Sequence, residues 1–195
     1  IKEPTPIQEK AIPPVFKGAD VIAQAQTGTG KTLAFLLPVL QRVHRDVHQE
    51  QALIIAPTRE LVKQLSDEAK KFAPALGIDV LPLIGGRTVE GQIQQLGRRP
   101  QVILGTPGRL LDHSERGSLH LETIRRVVLD EADQMLDMGF INDVKKIIKL
   151  TPDNRQTLLF SATMPLAIRE LADTFLTRPR YISVTPISST AENVS

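Results

Sequence analysis

The sequence contains no cysteine and no tryptophan. Without cysteine there is no disulfide framework and no cysteine-based zinc site, which fits a reducing compartment and leads to an expectation of cytoplasmic residence. Aromatic side chains are scarce too. One tyrosine and six phenylalanines make up 4% of the 195 residues, and most lie in core-like apolar runs. A surface that grips unpaired bases by stacking is therefore not expected. No apolar run approaches the length that spans a bilayer, so no membrane partner is expected. A strong excess of one charge is also lacking. The formal net charge is +2 and the pI is near 9.0, which permits a polyanionic partner without demanding one. The opening residues Ile1-Lys2-Glu3-Pro4 read neither as a secretory leader nor as a natural start, so the chain is expected to be a piece of a longer protein. It shows no internal repeat and no low-complexity tract.

What is present is the make-up of an ordinary globular domain, 41% hydrophobic and 24% charged. A chain of this length can bury a core of its own and reads as one domain. Short β-branched apolar runs alternate with helical stretches. Residues 21–23, 52–56, 78–84, 101–104, 127–129, 157–160 and 181–184 read as strands. Helical patterns fill 32–37, 60–72, 88–96, 135–150 and 166–175. Strands that are apolar throughout are buried on both faces, and strand–helix alternation gives parallel βαβ units. The expected architecture is α/β, a three-layer α/β/α sandwich over a mostly parallel sheet, spanning residues 1–184. Ligands of such sheets sit beyond the carboxyl ends of the strands. The polar, aperiodic stretch 185–195 reads as the start of a linker.

Two motifs stand just after strands. Ala25-Gln26-Thr27-Gly28-Thr29-Gly30-Lys31-Thr32 joins a strand to a helix. Its glycines let backbone N–H groups converge on phosphate oxygens, and the helix start adds a favourable dipole. Lys31 can reach the β- and γ-phosphates of a nucleotide, and the Thr32 hydroxyl can ligate Mg2+. The general pattern has glycine where this chain has Ala25. The second motif, Asp130-Glu131-Ala132-Asp133, follows the strand at 127–129. Asp130 can hold the same Mg2+, partly through water, and Glu131 can polarise an attacking water. Alone, the tetrad reads better as an acidic helix start. Beside the phosphate loop it reads as catalytic, with Lys31, Asp130 and Glu131 as the working groups. His44 and His48 have helical i, i+4 spacing but no acidic partner, and they read as an exposed helix end rather than a metal site.

Further segments complete a pattern. Pro4-Thr5-Pro6-Ile7-Gln8, Pro57-Thr58-Arg59-Glu60-Leu61, Gly85-Gly86, Thr106-Pro107-Gly108-Arg109, Met135-Leu136-Asp137-Met138-Gly139-Phe140 and Ser161-Ala162-Thr163 join the two motifs above. Together they stand in the order and spacing of DEAD-box RNA helicases, and the chain resembles that family, in its bacterial form, over nearly its whole length. In that family alanine is usual at the place of Ala25. The resemblance implies a RecA-like P-loop NTPase domain, the first of two in an ATP-dependent RNA helicase.

The resemblance implies ATP and Mg2+ as ligands. Thr5 and Gln8 would join Ala25, Gln26, Thr27, Gly28, Thr29, Gly30, Lys31 and Thr32 in binding the nucleotide, with the Gln8 amide reading adenine. One amide carries the donor and acceptor that suit N7 and N6–H. The family's adenine-stacking aromatic would precede Ile1. RNA would be held through its backbone by Pro57, Thr58 and Arg59, by Gly85 and Gly86, and by Thr106, Pro107, Gly108 and Arg109. These are donors and N–H groups that bind phosphate without reading sequence. Asp133, Ser161 and Thr163 would couple the ATP state to strand separation. Local structure offers an alternative for each: a helix cap for Thr58, a tight turn for Gly85-Gly86, a structural ion pair for Arg109, a capped turn for Ser161-Ala162-Thr163. The implied partner is a second RecA-like domain of the same protein, whose arginines complete the ATP site. The chain is expected to stop in the linker before it and to hydrolyse ATP poorly alone. A DNA translocase on a related fold and an RNA clamp without turnover are the competing readings.

Overall fold

The computed structural model describes residues 3–26 and 30–184. Thr27, Gly28 and Thr29 of the phosphate loop lie outside the described residues, as do Ile1, Lys2 and the expected linker at 185–195. Seven strands form one sheet: β1 (Val21–Gln24), β2 (Ala52–Ile55), β3 (Val80–Leu83), β4 (Val102–Gly105), β5 (Arg126–Leu129), β6 (Gln156–Ser161) and β7 (Arg180–Ser183). Their spatial order is β3-β4-β2-β5-β6-β1-β7, and every neighbouring pair is parallel. The expected three-layer sandwich is what forms.

The helices divide cleanly between the faces. On one side lie α1 (Pro6–Phe16), α2 (Lys31–Gln41) and α3 (Arg59–Leu76). Their buried residues, such as Ile7, Phe35 and Leu65, pack with Ala52, Ile54, Val128 and Phe160 of the sheet. On the other side lie α4 (Val89–Leu96), α5 (Pro107–Arg116), α6 (Ala132–Asp137), α7 (Ile141–Lys149) and α8 (Leu166–Phe175). These pack on Leu53, Ile55, Val127 and Leu129. Alternate residues of one strand thus enter opposite layers, the consequence of a two-residue side-chain period. A fully buried Phe or Leu in either layer contributes about 1.5–3 kcal/mol of transfer free energy. The Phe35 and Phe160 rings, 5.0 Å apart and tilted by 55°, tie α2 to β6.

The structure departs from the sequence expectation in four places. Residues 6–16 form a helix, α1, that the apolar pattern did not announce. The Thr5 side chain accepts from the Gln8 N–H, the Gln8 side chain accepts from the Thr5 N–H, and Pro6 occupies the first helical position. The single helix expected at 135–150 is two helices, because Gly139 turns the chain at φ +81°. The third strand is four residues rather than seven. Finally, α2 ends at Gln41, so His44 and His48 do not lie on a helix. Among the described residues no group of three or more His, Asp or Glu could hold a metal ion. No described helix is long and apolar enough to cross a membrane.

Candidate functional site

Because all strands run one way, their carboxyl ends lie on one edge of the sheet. The phosphate loop leaves β1 there, Asp130 and Glu131 follow β5, and Ser161 ends β6. Lys31, the first residue of α2, reaches across this edge. Its Nζ lies 3.0 Å from Asp130 Oδ1 and 3.6 Å from Glu131 Oε2, closing a sequence gap of 99 residues. Asp130 is fully buried, and burial pushes its carboxyl above the ordinary value while Lys31 pulls the other way. Its backbone N–H donates to Ile55 O at 2.9 Å. Its Oδ2 is buried and has no hydrogen-bond partner among the described residues. A buried carboxylate oxygen left open in this way is costly and is suited to a cation or its water. Glu131 sits at φ +53°, a left-handed conformation that is rare outside glycine, as the N-cap of α6. That strained turn lifts its side chain out of the core, leaving it partly exposed beside Lys31.

Gly30 is a meeting point. Its φ is +83°, and a Cβ there would lie 2.7 Å from Thr5 Oγ1 and 2.8 Å from Gln8 Nε2. The Gln8 Nε2 donates to Gly30 O at 3.1 Å, and Gln8 Oε1 accepts from the Thr5 N–H at 3.0 Å. The buried Gln8 amide therefore staples α1 to the start of α2. Each end of that amide retains one further hydrogen-bonding position. Thr32, next to Lys31, is half-buried at the same helix start.

Asp133, Ser161 and Thr163 are brought together in one network. The Asp133 N–H donates to Ser161 Oγ at 3.1 Å, and Ser161 Oγ donates to Thr163 O at 2.7 Å. Thr163 returns both its N–H and its hydroxyl to Asp133 Oδ2, at 3.2 and 2.9 Å. The network touches the phosphate loop, since the Ala25 N–H donates to Ser161 O at 3.1 Å. Gln24, which ends β1 and was not singled out from sequence, donates to Ala162 O at 3.3 Å.

The remaining motif residues gather at the other end of the sheet edge. Thr58 caps α3 through the Leu61 N–H at 3.1 Å, and Pro57 is buried behind it. Arg59 is exposed and its guanidinium crosses Gly86, where a Cβ would come within 2.9 Å of Nη2. Gly86 has φ +84°, so glycine serves both the turn and the close approach. Thr106 is the N-cap of α5 with no side-chain cap bond, Pro107 is buried and Gly108 is exposed. A Cβ at Gly108 would meet nothing within 4 Å, so this helix start is open. Arg109 makes no ion pair among the described residues; it donates to Arg87 O and to Gln92 Oε1. Sequence reasoning missed Gln92. Its signal was a polar residue four places before Leu96, on the buried stripe of a helix.

A parallel seven-stranded sheet with this Gly-Lys-Thr helix start and this Asp-Glu pair at its carboxyl edge defines a RecA-like domain. The chain belongs to the DEAD/DEAH box helicase family, whose model matches residues 5–171. It is 50% identical over 193 residues to a DEAD-box ATP-dependent RNA helicase CshA of Geobacillus kaustophilus, covering 99% of this chain and 41% of that protein. It is 50% identical over 190 residues to the ATP-dependent RNA helicase CshA of Listeria monocytogenes, covering 97% of this chain and 36% of that one. The crystal structure of a DEAD box protein from Methanococcus jannaschii superposes with a TM-score of 0.87 at 39% identity, over 93% of this chain and 50% of that chain. The chain thus spans about two fifths of these curated relatives.

Proposed function

We infer that this chain is the ATP-binding half of an ATP-dependent RNA helicase, working on the RNA backbone in the cytoplasm. The observation that carries the reading is the placement of Lys31 between Asp130 and Glu131 at the carboxyl edge of the sheet. Two motifs far apart in sequence there make one charged site. ATP would be bound by Lys31, Thr32, Gly30 and the rest of the loop 25–32, with Thr5 and Gln8 beside it. The two open positions on the Gln8 amide suit the N7 and N6–H edge of adenine. Asp130, with its unpartnered buried oxygen, and Thr32 would hold Mg2+. Bound there, the ion neutralises charge on the phosphates. Glu131 accepts a proton from, and so orients, the attacking water. Lys31 leaves its carboxylates to meet phosphate, a change its long stem allows.

The exposed, donor-rich end of the sheet edge supports backbone recognition of RNA by Thr58, Arg59, Gly85, Gly86, Thr106, Gly108 and Arg109, with Pro57 and Pro107 shaping the loops. Asp133, Ser161 and Thr163 would relay the nucleotide state. Full activity would require a second RecA-like domain of the same protein, in keeping with the greater length of the relatives. Calorimetric titration with Mg·ADP and with Mg·GDP tests the nucleotide reading. A clear preference for ADP is expected, and equal binding would remove Gln8 from base recognition. Isolated, the chain is expected to turn ATP over slowly. RNA-stimulated hydrolysis by the chain alone, abolished in Glu131→Gln, would refute the need for a second domain.

A further inference from the structure

His113 lies on the inner face of α5, fully buried, and belongs to none of the motifs above. Its surroundings are unusually specified. Gln92 Nε2 donates to Ile84 O at 3.0 Å, which fixes the amide orientation and leaves Oε1 facing the other way. Two groups meet that oxygen: Arg109 Nη1 at 3.0 Å and His113 Nε2 at 2.8 Å. A carbonyl oxygen only accepts, so His113 Nε2 must carry a proton. Both lone pairs of Gln92 Oε1 are then used. Arg109 Nη1 also donates to Arg87 O at 3.1 Å, just past the Gly85-Gly86 turn.

The other ring nitrogen is provided for as well. His113 Nδ1 lies 2.9 Å from Ser118 Oγ, and that hydroxyl lies 3.1 Å from His113 O. In the neutral ring the hydroxyl proton turns to Nδ1. In the protonated ring Nδ1–H donates to Oγ, and the hydroxyl turns to the carbonyl. In both states Nε2–H stays on Gln92. One buried imidazole thus holds one amide, and that amide holds three places: the end of β3 at Ile84, the start of α5 at Arg109 and, through Arg109, the turn at Arg87.

We propose that His113 is a positioning residue for RNA binding, acting through Gln92 to set the Arg109 guanidinium and the Gly85-Gly86 turn as one rigid unit. The proposal rests on the reading of Arg109 and the glycine turn as RNA contacts. Without the His113 donor, the Gln92 amide keeps Ile84 O on its nitrogen and only Arg109 on its oxygen, and it is held less firmly. Arg109 then loses its fixed bearing without any change to the residues that would touch phosphate. Pre-organised donors bind a flexible polyanion more tightly than mobile ones, because less conformational freedom is lost on binding.

The test uses the whole 195-residue chain, fluorescein-labelled single-stranded oligouridine read by anisotropy at fixed salt, and Mg·ADP affinity alongside. His113→Leu fills the space without the donor and is expected to weaken RNA binding roughly fivefold to tenfold, the scale of one lost specific contact. Mg·ADP affinity should be unmoved. His113→Gln, which presents its own terminal N–H, should recover RNA affinity to within about twofold. In an Arg109→Ala background His113→Leu should add no further loss, since both act on one contact. Full additivity, an equal loss in His113→Gln, or no loss in His113→Leu overturns the proposal. Nitrogen NMR reads the positioning separately: the ring should be the Nε2–H form, and the Arg109 side-chain N–H signals should shift in His113→Leu. If they shift while Arg109→Ala leaves RNA affinity unchanged, the RNA reading falls and the positioning stands. If they do not shift, the positioning falls whatever RNA does.

Discussion

Gly30→Ala should separate the two roles of the first helix. The substitution places a Cβ at φ +83°, a backbone conformation that costs a non-glycine residue about 1–2 kcal/mol. The same Cβ would stand 2.7 Å from Thr5 Oγ1, 2.8 Å from Gln8 Nε2 and 2.9 Å from Thr5 Cγ2. Side chains must therefore move, and the movement sacrifices the Gln8 bond to Gly30 O and strains the Thr5–Gln8 capping box. Each lost bond is worth about 0.5–1.5 kcal/mol. The total destabilisation is about 2–4 kcal/mol, which in a chain of this size lowers Tm by roughly 5–15 °C. Urea and thermal unfolding measure it, with Mg·ADP titration on the same samples. Adding Thr5→Ala removes two of the three close atoms at the cost of the N-cap, so the double variant should lose less stability than the two single variants summed, with the backbone strain unrelieved. A Gly30→Ala protein within about 0.5 kcal/mol of the parent, and binding Mg·ADP as tightly, would refute the claim that α1 is keyed onto the nucleotide loop at this glycine.

Three other perturbations test the buried groups. The folded pKa of Asp130 is raised by burial and restrained by Lys31, so Lys31→Met should raise it further. A raised carboxyl pKa means the folded state holds the proton more tightly, so stability falls as pH climbs from about 3.9 through the folded value. The stability gap between Lys31→Met and the parent should therefore widen as pH rises through the two folded values; a gap that does not change from acid to neutral pH would refute this. Ser161→Ala removes the acceptor for the Asp133 N–H and the donor to Thr163 O, which predicts a loss of about 1–2 kcal/mol and faster amide hydrogen exchange at Asp133. Unchanged protection at that amide would count against the network. For His113, burial and then Arg109 push the pKa down, with Arg116 acting the same way and Asp112 against. The unfolded chain then binds the extra proton first, so stability is lost as pH falls below about 6.5, and His113→Gln should flatten that slope in urea titrations.

The layers and most of the strands were legible because their signal is local. Runs such as Leu53-Ile54-Ile55 are apolar on both faces only if both faces are covered. Where the reading failed, the deciding interaction was not periodic. The helix at 135–150 breaks because Gly139 adopts a left-handed turn, which no apolar spacing reveals. Residues 6–16 hold three prolines, at positions 6, 13 and 14, and their helix is set by its cap and its packing on α2 rather than by propensity. The charged site was legible as two motifs, and its geometry followed once the sheet was parallel. Several local alternatives proved true alongside the site: Thr58 does cap α3 and Gly86 does form a turn. Gln92 and His113 were illegible because each looks like an ordinary helix residue until the helices are packed.

The order of motifs along the chain hides how close they stand. Besides the side-chain bonds already described, backbone bonds at the last residues of adjacent strands join them. The Ala25 N–H donates to Ser161 O, the Asp130 N–H to Ile55 O, and the Ala56 N–H to Gly105 O. These three bonds connect the loops after β1 and β6, after β5 and β2, and after β2 and β4. None depends on a side chain, so no residue type marks them. Yet they bring Asp130, a member of the proposed nucleotide site, within one strand spacing, about 4.8 Å, of the segment that continues into Pro57-Thr58-Arg59. A change at the proposed nucleotide site therefore has a short covalent and hydrogen-bonded route to the donors proposed for RNA, across one strand rather than through the core. The side-chain networks lie on either side of that strand pair: Asp133–Ser161–Thr163 towards β6, and Arg109–Gln92–His113 towards β3. Between them the β2–β5 pair is buried from Val127 to Leu129 and from Ala52 to Ile55, a close-packed element that connects the two.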